Sequence, residues 1–262
     1  MTEAFTPFNL ADYQSFLTSS WGSEILVFEE LESTSDYLRN LPDFNSGLVV
    51  LAETQSSGRG RLGRKWADEK GSNLLFSIGW KVETGSVSVP ATPLITALAI
   101  RDAVQTLTPD MKIKWPNDLL FDGKKSGGIL VEARTTGDQM SLVIGIGLNV
   151  NQTEFPSWLD VPASSLQLQT GKTISREWVL ASVMNKLQDY LTRLRINKKT
   201  ELLTRYRQHC DTLGQTIRFK FNEEMKTGLA VDIAQDGSLL INVDGEIIAF
   251  QGNEISHIRN QS

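Results

Sequence analysis

At 262 residues, with 40% apolar content and eight prolines, the chain can bury one sizeable core and a small second one. Its single cysteine, Cys210, excludes an intramolecular disulfide, and two histidines, His209 and His257, leave little for a zinc site. A net charge of −5 argues against bulk binding to nucleic acid, which needs a basic face. No apolar run approaches the ~18 residues of a membrane span, and residues 1–10 lack an export signal, so cytoplasmic residence is expected.

In chain order, Phe8, Leu10, Tyr13, Phe16 and Leu17 form a rough helical stripe for a short helix packed on the main body. Residues 25–28 read as a strand and 34–41 as a helix capped by Ser33 or Thr34. A strand over 47–53 precedes a glycine-rich basic loop, and Leu74, Phe76, Ile78 and Trp80 alternate at the strand period after it. Residues 93–107 carry the broad apolar face of a buried helix. Strands follow at 112–115, 119–121, 128–133 and 142–150, and the turn signals Asp122-Gly123 and Gly137-Asp138 predict hairpins and a largely antiparallel sheet. Ser175 caps a long helix with Leu180, Met184, Leu187, Leu191 and Leu194 as its core stripe, and a second helix spans 201–209. From Gly214 onward, five short strands separated by Asn222-Glu223, residues 235–237 and Asp244-Gly245 predict a small β-barrel.

The basic loop is Gly58-Arg59-Gly60-Arg61-Leu62-Gly63-Arg64-Lys65, followed by Trp66: four cations and three glycines in eight residues of an acidic protein. Such local charge inversion predicts a small phosphate-bearing ligand. The loop also matches the dinucleotide-binding pattern G-x-G-x-x-G, but that pattern needs a helix after the third glycine. A strand follows instead.

Three further segments gather glycine, charge and amides at strand ends. Lys114-Trp115-Pro116-Asn117-Asp118 presents an amide beside a carboxylate, suited to reading a purine edge, holding a metal or orienting an amine; an ordinary Asx turn is the alternative. Gly123-Lys124-Lys125-Ser126-Gly127-Gly128 is not a Walker A loop, because Asp118 stands where the first glycine belongs. It reads as a lysine pair entering a strand whose bare backbone admits a ligand, or as a solvated hairpin turn. Gly145 and Gly147 share a strand face ahead of Asn149, which suggests close approach by another group or a bulge.

Taken in this order, the segments 58–66, 114–118, 125–132 and 145–149 resemble biotin protein ligase, and the resemblance spans residue 25 or so to the C-terminus. It implies an α+β fold: a mixed, largely antiparallel sheet with helices, followed by an SH3-like β-barrel. Residues 1–210 would be the catalytic domain, with the first 24 an N-terminal extension, and 211–262 the barrel. The short extension predicts no DNA-binding repressor domain. The implied activity activates biotin with ATP and Mg²⁺ as biotinyl-5′-AMP, releasing pyrophosphate. Biotin then passes to one lysine of the biotin carboxyl carrier domain of acetyl-CoA carboxylase. Neither nucleic acid nor membrane is an implied partner, and monomer and homodimer both stay open.

By matched position, the resemblance implies Lys125, Arg61 and Asp118 as catalytic residues, with Lys125 on the biotin carboxyl and α-phosphate and Asp118 orienting the acceptor amine. Ser33, Thr34 and Gln55 would bond the ureido ring, for which Gly127, Gly128 and Gly145 leave room, and Arg59 and Arg61 would complete the biotin site. Gly58, Arg59, Arg61, Arg64, Lys65, Trp66, Asn117, Lys125 and Asn149 would hold the nucleotide, with Trp66 stacked on adenine. No residue is assigned to a metal. Three features depart from the pattern: Ser35 stands where many relatives carry asparagine, Ser126 where an apolar residue is common, and Arg259 is shifted by about one residue from a C-terminal arginine near ATP. Lipoate or octanoate relatives show an arginine-rich turn with consecutive glycines and a nearby histidine, which this chain lacks. A nucleic-acid-binding module would need a basic face beyond the one loop.

Overall fold

Seven strands build the larger sheet of the computed structural model, which describes residues 6–159, 161–196, 198–251 and 255–257. They are β1 (Ile25–Phe28), β2 (Val49–Ala52), β3 (Leu74–Glu83), β4 (Lys112–Lys114), β5 (Asp118–Phe121), β6 (Lys124–Thr136) and β7 (Gln139–Leu148), in the order β1-β2-β3-β7-β6-β5-β4. β1 and β2 run parallel, and all other neighbours are antiparallel. The sheet is thus mixed and largely antiparallel, as the hairpin signals predict.

The alternation of β3 separates the two faces. Leu74, Phe76, Ile78 and Trp80 point into the main core, while Ser77 points to the opposite face. On the core side lie α1 (Leu10–Phe16), α3 (Ala91–Val104), α5 (Arg176–Arg195) and α6 (Lys199–His209). Every residue of α3 except Pro93 is buried, because the helix packs against the sheet on one side and α5 and α6 on the other. α5 begins at the Ser175 cap, whose hydroxyl accepts Trp178 N–H, a contact of ~1 kcal/mol. Its buried arc is wider than the predicted stripe and takes in Val179, Val183 and Tyr190. α4 (Leu166–Thr170), absent from the sequence reading, is capped by Ser165 and ended by left-handed Gly171.

On the other face, α2 (Thr34–Asn40), capped by Ser33, buries Leu38 against Val50 and Val143. It covers only part of that face.

The N-terminal segment is tied to the core. Tyr13 is fully buried and donates its hydroxyl to Gly22 O, and Trp21 meets Trp80 edge to face. Leu10 and Phe16, read as part of the stripe, are exposed. Glu53, at the end of β2, accepts Phe8 N–H and pairs with buried Arg176. Removing one partner of such a buried pair costs about 3–5 kcal/mol.

The C-terminal strands β8 (Thr216–Phe221), β9 (Glu224–Ile233), β10 (Leu239–Val243), β11 (Glu246–Phe250) and β12 (Ile255–His257) form a second, antiparallel sheet in the order β11-β10-β9-β8-β12. The five predicted strands are present, and all three predicted turns carry positive φ, at Asn222 and Glu223, at Gly237, and at Asp244 and Gly245. Arg259 lies outside the described residues. Among those described, no helix is long and apolar enough to cross a membrane.

Candidate active site

The uncovered part of the sheet forms the floor of a cavity of ≈ 530 Å³. Its floor is stripped of side chains where Gly128 of β6 pairs with Gly147 of β7, beside Gly145. The groups that approach these glycines belong to the protein itself. A methyl group at Gly147 would stand 2.6 Å from the Trp66 ring, and one at Gly145 would stand 2.5 Å from Ser35 Oγ.

One end of the cavity is lined mainly by hydroxyl and amide groups. Thr34 N–H donates to Gln55 Oε1 at 2.7 Å, and the Thr34 and Ser35 hydroxyls meet the buried Ser77 hydroxyl at 2.8 and 2.9 Å. Ser33 also lines this end, although its Oγ accepts Asp36 N–H as the α2 cap. Asp68 fixes the base of the basic loop here, accepting from the Thr54 hydroxyl and the Gln55 N–H. Burial pushes the Asp68 carboxyl above its ordinary value.

The opposite end is cationic. Lys125 Nζ lies 2.6 Å from Asp118 Oδ1 and 5.7 Å from the Trp66 ring centroid. The β5–β6 register explains how Lys125 gets there. Leu120 pairs with Lys125 and Leu119 with Gly127, so Ser126 is an extra residue in the ladder. This bulge shifts the alternation, so Lys125 and Gly128, three residues apart, reach the same cavity while Lys124 is exposed. Asn117 is held by Nδ2–H donation to Ile129 O at 2.7 Å. Asn149 is 4% exposed; its Nδ2 donates to Ser164 O, while Oδ1 is buried without a hydrogen-bond partner. The Trp66 indole N–H is likewise buried and unpartnered. An unsatisfied buried group costs about 1–3 kcal/mol, so each of these two lining residues carries a polar atom in want of a partner.

The basic loop folds over this end as a small hairpin. Trp66 N–H donates to Gly58 O at 2.9 Å and Gly60 N–H to Arg64 O at 2.7 Å, with a 3-10 turn over Arg61–Gly63 at the tip. Gly63 takes φ +72 there, a left-handed conformation suited to glycine. Arg61 Nη1 donates to Asn117 Oδ1 at 3.1 Å and joins the loop to the β4–β5 turn, while Arg59 pairs with Asp36 of α2. The lining residues include six cations, Arg59, Arg61, Arg64, Lys65, Lys114 and Lys125, and one carboxylate, Asp118, with Arg59 paired to Asp36 outside the lining. That balance favours a polyanion.

Of the residues singled out in the sequence, Ser33, Thr34, Gln55, Arg59, Arg61, Arg64, Lys65, Trp66, Asn117, Asp118, Lys125, Gly128, Gly145 and Asn149 line this one cavity. Gly58 and Gly127 do not. Gly58 sits beneath Gln55 and Trp66, whereas the missing side chain of Gly127 faces Leu119 and Leu148, so its smallness serves packing on the other side of the ladder. Sequence reasoning gave no role to Ser77, buried beneath the hydroxyl cluster, none of its own to Trp115 within the segment 114–118, and missed one wall, formed by Phe155, Trp158, Leu159, Val161 and Ala163. The wall is strapped to the lysine strand, since Lys125 N–H donates to Pro162 O and Ser164 N–H to Lys125 O. Two aromatics in a segment without strand or helix period were the available signal.

Comparison with known proteins agrees with this layout. The model of the biotin/lipoate A/B protein ligase family matches residues 27–149, and that of the biotin protein ligase C-terminal domain matches 212–258. The chain is 31% identical over 223 residues to the biotin–[acetyl-CoA-carboxylase] ligase of Mycobacterium tuberculosis, covering 81% of this chain and 80% of that one. It is 28% identical over 253 residues to the bifunctional ligase/repressor BirA of Escherichia coli, covering 95% and 79%. Among solved structures, the biotin protein ligase of Aquifex aeolicus, in complex with biotin and ATP, superposes with a TM-score of 0.79 at 29% identity, over 91% of this chain and all of that one. The chain belongs to the biotin protein ligase family.

Proposed function

We propose that the protein activates biotin with Mg·ATP as biotinyl-5′-AMP and then transfers biotin to a lysine of the biotin carboxyl carrier domain of acetyl-CoA carboxylase. In this reading residues 1–210 form the catalytic unit and 211–262 a C-terminal unit. The observation that carries it is the polarity of the cavity: the hydroxyl and amide groups of Ser33, Thr34, Ser35 and Gln55 at one end, and Lys125, Asp118 and the cationic basic loop at the other. Biotin has the same polarity, with a neutral ureido ring at one end and a carboxylate at the other. The complex of the Aquifex aeolicus relative with biotin and ATP supports the assignment.

In the first step a carboxylate oxygen of biotin attacks the α-phosphorus of ATP, a P–O bond forms, and the bond to pyrophosphate breaks. An anion must approach a polyanion, so Lys125, Arg61, Arg59, Arg64 and Lys65 lower the barrier by neutralising charge, aided by the Mg²⁺ that ATP brings. Ser33, Thr34 and Gln55 hold the ureido ring above Gly145 and Gly128. Trp66 stacks on adenine, and Asn149 Oδ1 accepts from its amino group. In the second step the acceptor lysine amine, oriented by Asp118, attacks the acyl carbon; AMP leaves and the amine loses a proton.

Incubation with Mg·ATP, biotin and a purified carrier domain tests this. One biotinyl group on the acceptor lysine, absent when that lysine is replaced by arginine, is the expected result. An unmodified carrier with every acceptor tried contradicts it.

A further inference from the structure

The cavity's Asn117 and Asp118 stand at the end of a short turn, Trp115-Pro116-Asn117, between β4 and β5. β4 has β5 on one side only. Its other side is covered by the connection to the C-terminal sheet: Asp211 N–H donates to Ile113 O at 2.8 Å, and Trp115 N–H donates to Oγ1 of fully buried Thr212 at 3.0 Å. The Trp115 side chain continues in the same direction. Its indole N–H donates to Gly237 O at 3.0 Å, and its ring lies 5.9 Å from that of Phe250, which packs on Phe219 in the C-terminal core. The far anchor is itself fixed. A methyl group at Gly237 would stand 2.8 Å from Ala91 Cα, and the Ser88 hydroxyl donates to Asp236 O at 2.6 Å, so the 235–237 turn is pressed onto the start of α3.

We propose that Trp115 is a positioning residue, a strut through which Thr212 and the C-terminal sheet hold Asn117 and Asp118 against Arg61 and Lys125. The inference rests on the ligase reading above and gives the C-terminal unit a definite task in the chemistry. Ser33, Thr34 and Gln55 are carried by α2 and its flank and by the end of β2, at the opposite end of the strand order. Loosening the strut therefore slows the reaction without weakening the grip on the ureido ring.

Thr212→Val removes the acceptor for Trp115 N–H at nearly constant volume, Thr212→Ser restores the hydroxyl, and Trp115→Phe removes the indole N–H while keeping a ring. Misplacing reacting groups by about 1 Å costs up to ~100-fold in rate. Thr212→Val and Trp115→Phe should lower the saturated rate of biotin-dependent pyrophosphate exchange about tenfold, with the biotin KM unchanged and with recovery in Thr212→Ser. Wild-type rates in Thr212→Val and Trp115→Phe, a biotin KM that rises as the rate falls, a loss that follows only the folded fraction, or a serine variant no better than valine would each overturn the proposal. A second readout does not depend on the reaction. The Asn117 side-chain amide resonance should move in Thr212→Val and return in Thr212→Ser; an unmoved resonance overturns the strut. Failure of the wild-type protein to exchange with biotin would instead overturn the ligase reading and leave the resonance to decide on the strut.

Discussion

Lys125 Nζ and Asp118 Oδ1 are 2.6 Å apart, and the bulge at Ser126 aims the lysine at that carboxylate. The pair joins the group assigned to carboxylate activation with the group assigned to the acceptor amine. In the proposed reaction one ion pair would stand between the two steps, and the incoming anion would share Lys125 with Asp118.

Lys125→Ala is expected to suppress biotin adenylation by about 100-fold or more, the loss typical of a preorganised charge at a reacting centre. Lys124→Ala, on the exposed side of the same strand, should leave it nearly unchanged. Initial rates of adenylate formation check this. Equal losses would mean that the bulge does not select Lys125.

Arg61→Ala removes the contact between the basic loop and Asn117. Adenylate should then escape or hydrolyse about tenfold faster, the scale of a lost charge-assisted hydrogen bond of ~1.4 kcal/mol. Retention of labelled adenylate on gel filtration measures it, and wild-type retention would contradict the assigned role.

Much of this arrangement was legible in the sequence because it rests on local patterns. The period-2 run Leu74 to Trp80 showed that the basic loop joins two strands, and Asn222 and Asp244-Gly245 marked hairpins through residues that tolerate positive φ. What depends on register or on distant partners was not legible. No local signal announces that Ser126 is the bulged residue, and this decides where Lys125 and Gly127 point. The Ser35–Ser77 contact joins residues 42 positions apart, and Trp115 meets its carbonyl partner Gly237 only after the C-terminal sheet has docked. The two glycines of β7 did signal close approach, but the approaching groups, Trp66 and Ser35, come from elsewhere in the chain.

Gly147→Ala places a methyl group 2.6 Å from the Trp66 ring, a contact that atoms cannot sustain. Trp66 must shift, and the ATP KM should rise about tenfold, on the scale of ~1–3 kcal/mol for base–aromatic stacking. Steady-state kinetics at saturating biotin check it. An unchanged ATP KM would remove Trp66 from the nucleotide site.

Asp68 gives a pH dependence of stability. Burial raises its pKa in the folded state, with partial opposition from the Thr54 and Gln55 hydrogen bonds and from Lys65. The native protein therefore holds the proton more tightly than the unfolded chain. The associated stability is fully present below the ordinary aspartate value of ~3.9 and is lost as pH rises through the raised value. Asp68→Asn keeps an acceptor for both hydrogen bonds and should flatten this slope, with neutral-pH stability equal to or above wild type. Urea midpoints across the acidic range decide; an unchanged slope in the variant contradicts the assignment.

Biotin activation in the cavity between the hydroxyl cluster and the basic loop is measured by pyrophosphate exchange into ATP. Purified protein with Mg²⁺ would be run with biotin, with lipoate or octanoate, and with no acid. Exchange should require biotin and fall in Lys125→Ala. Exchange only with lipoate or octanoate, or none with any acid, would contradict biotin activation.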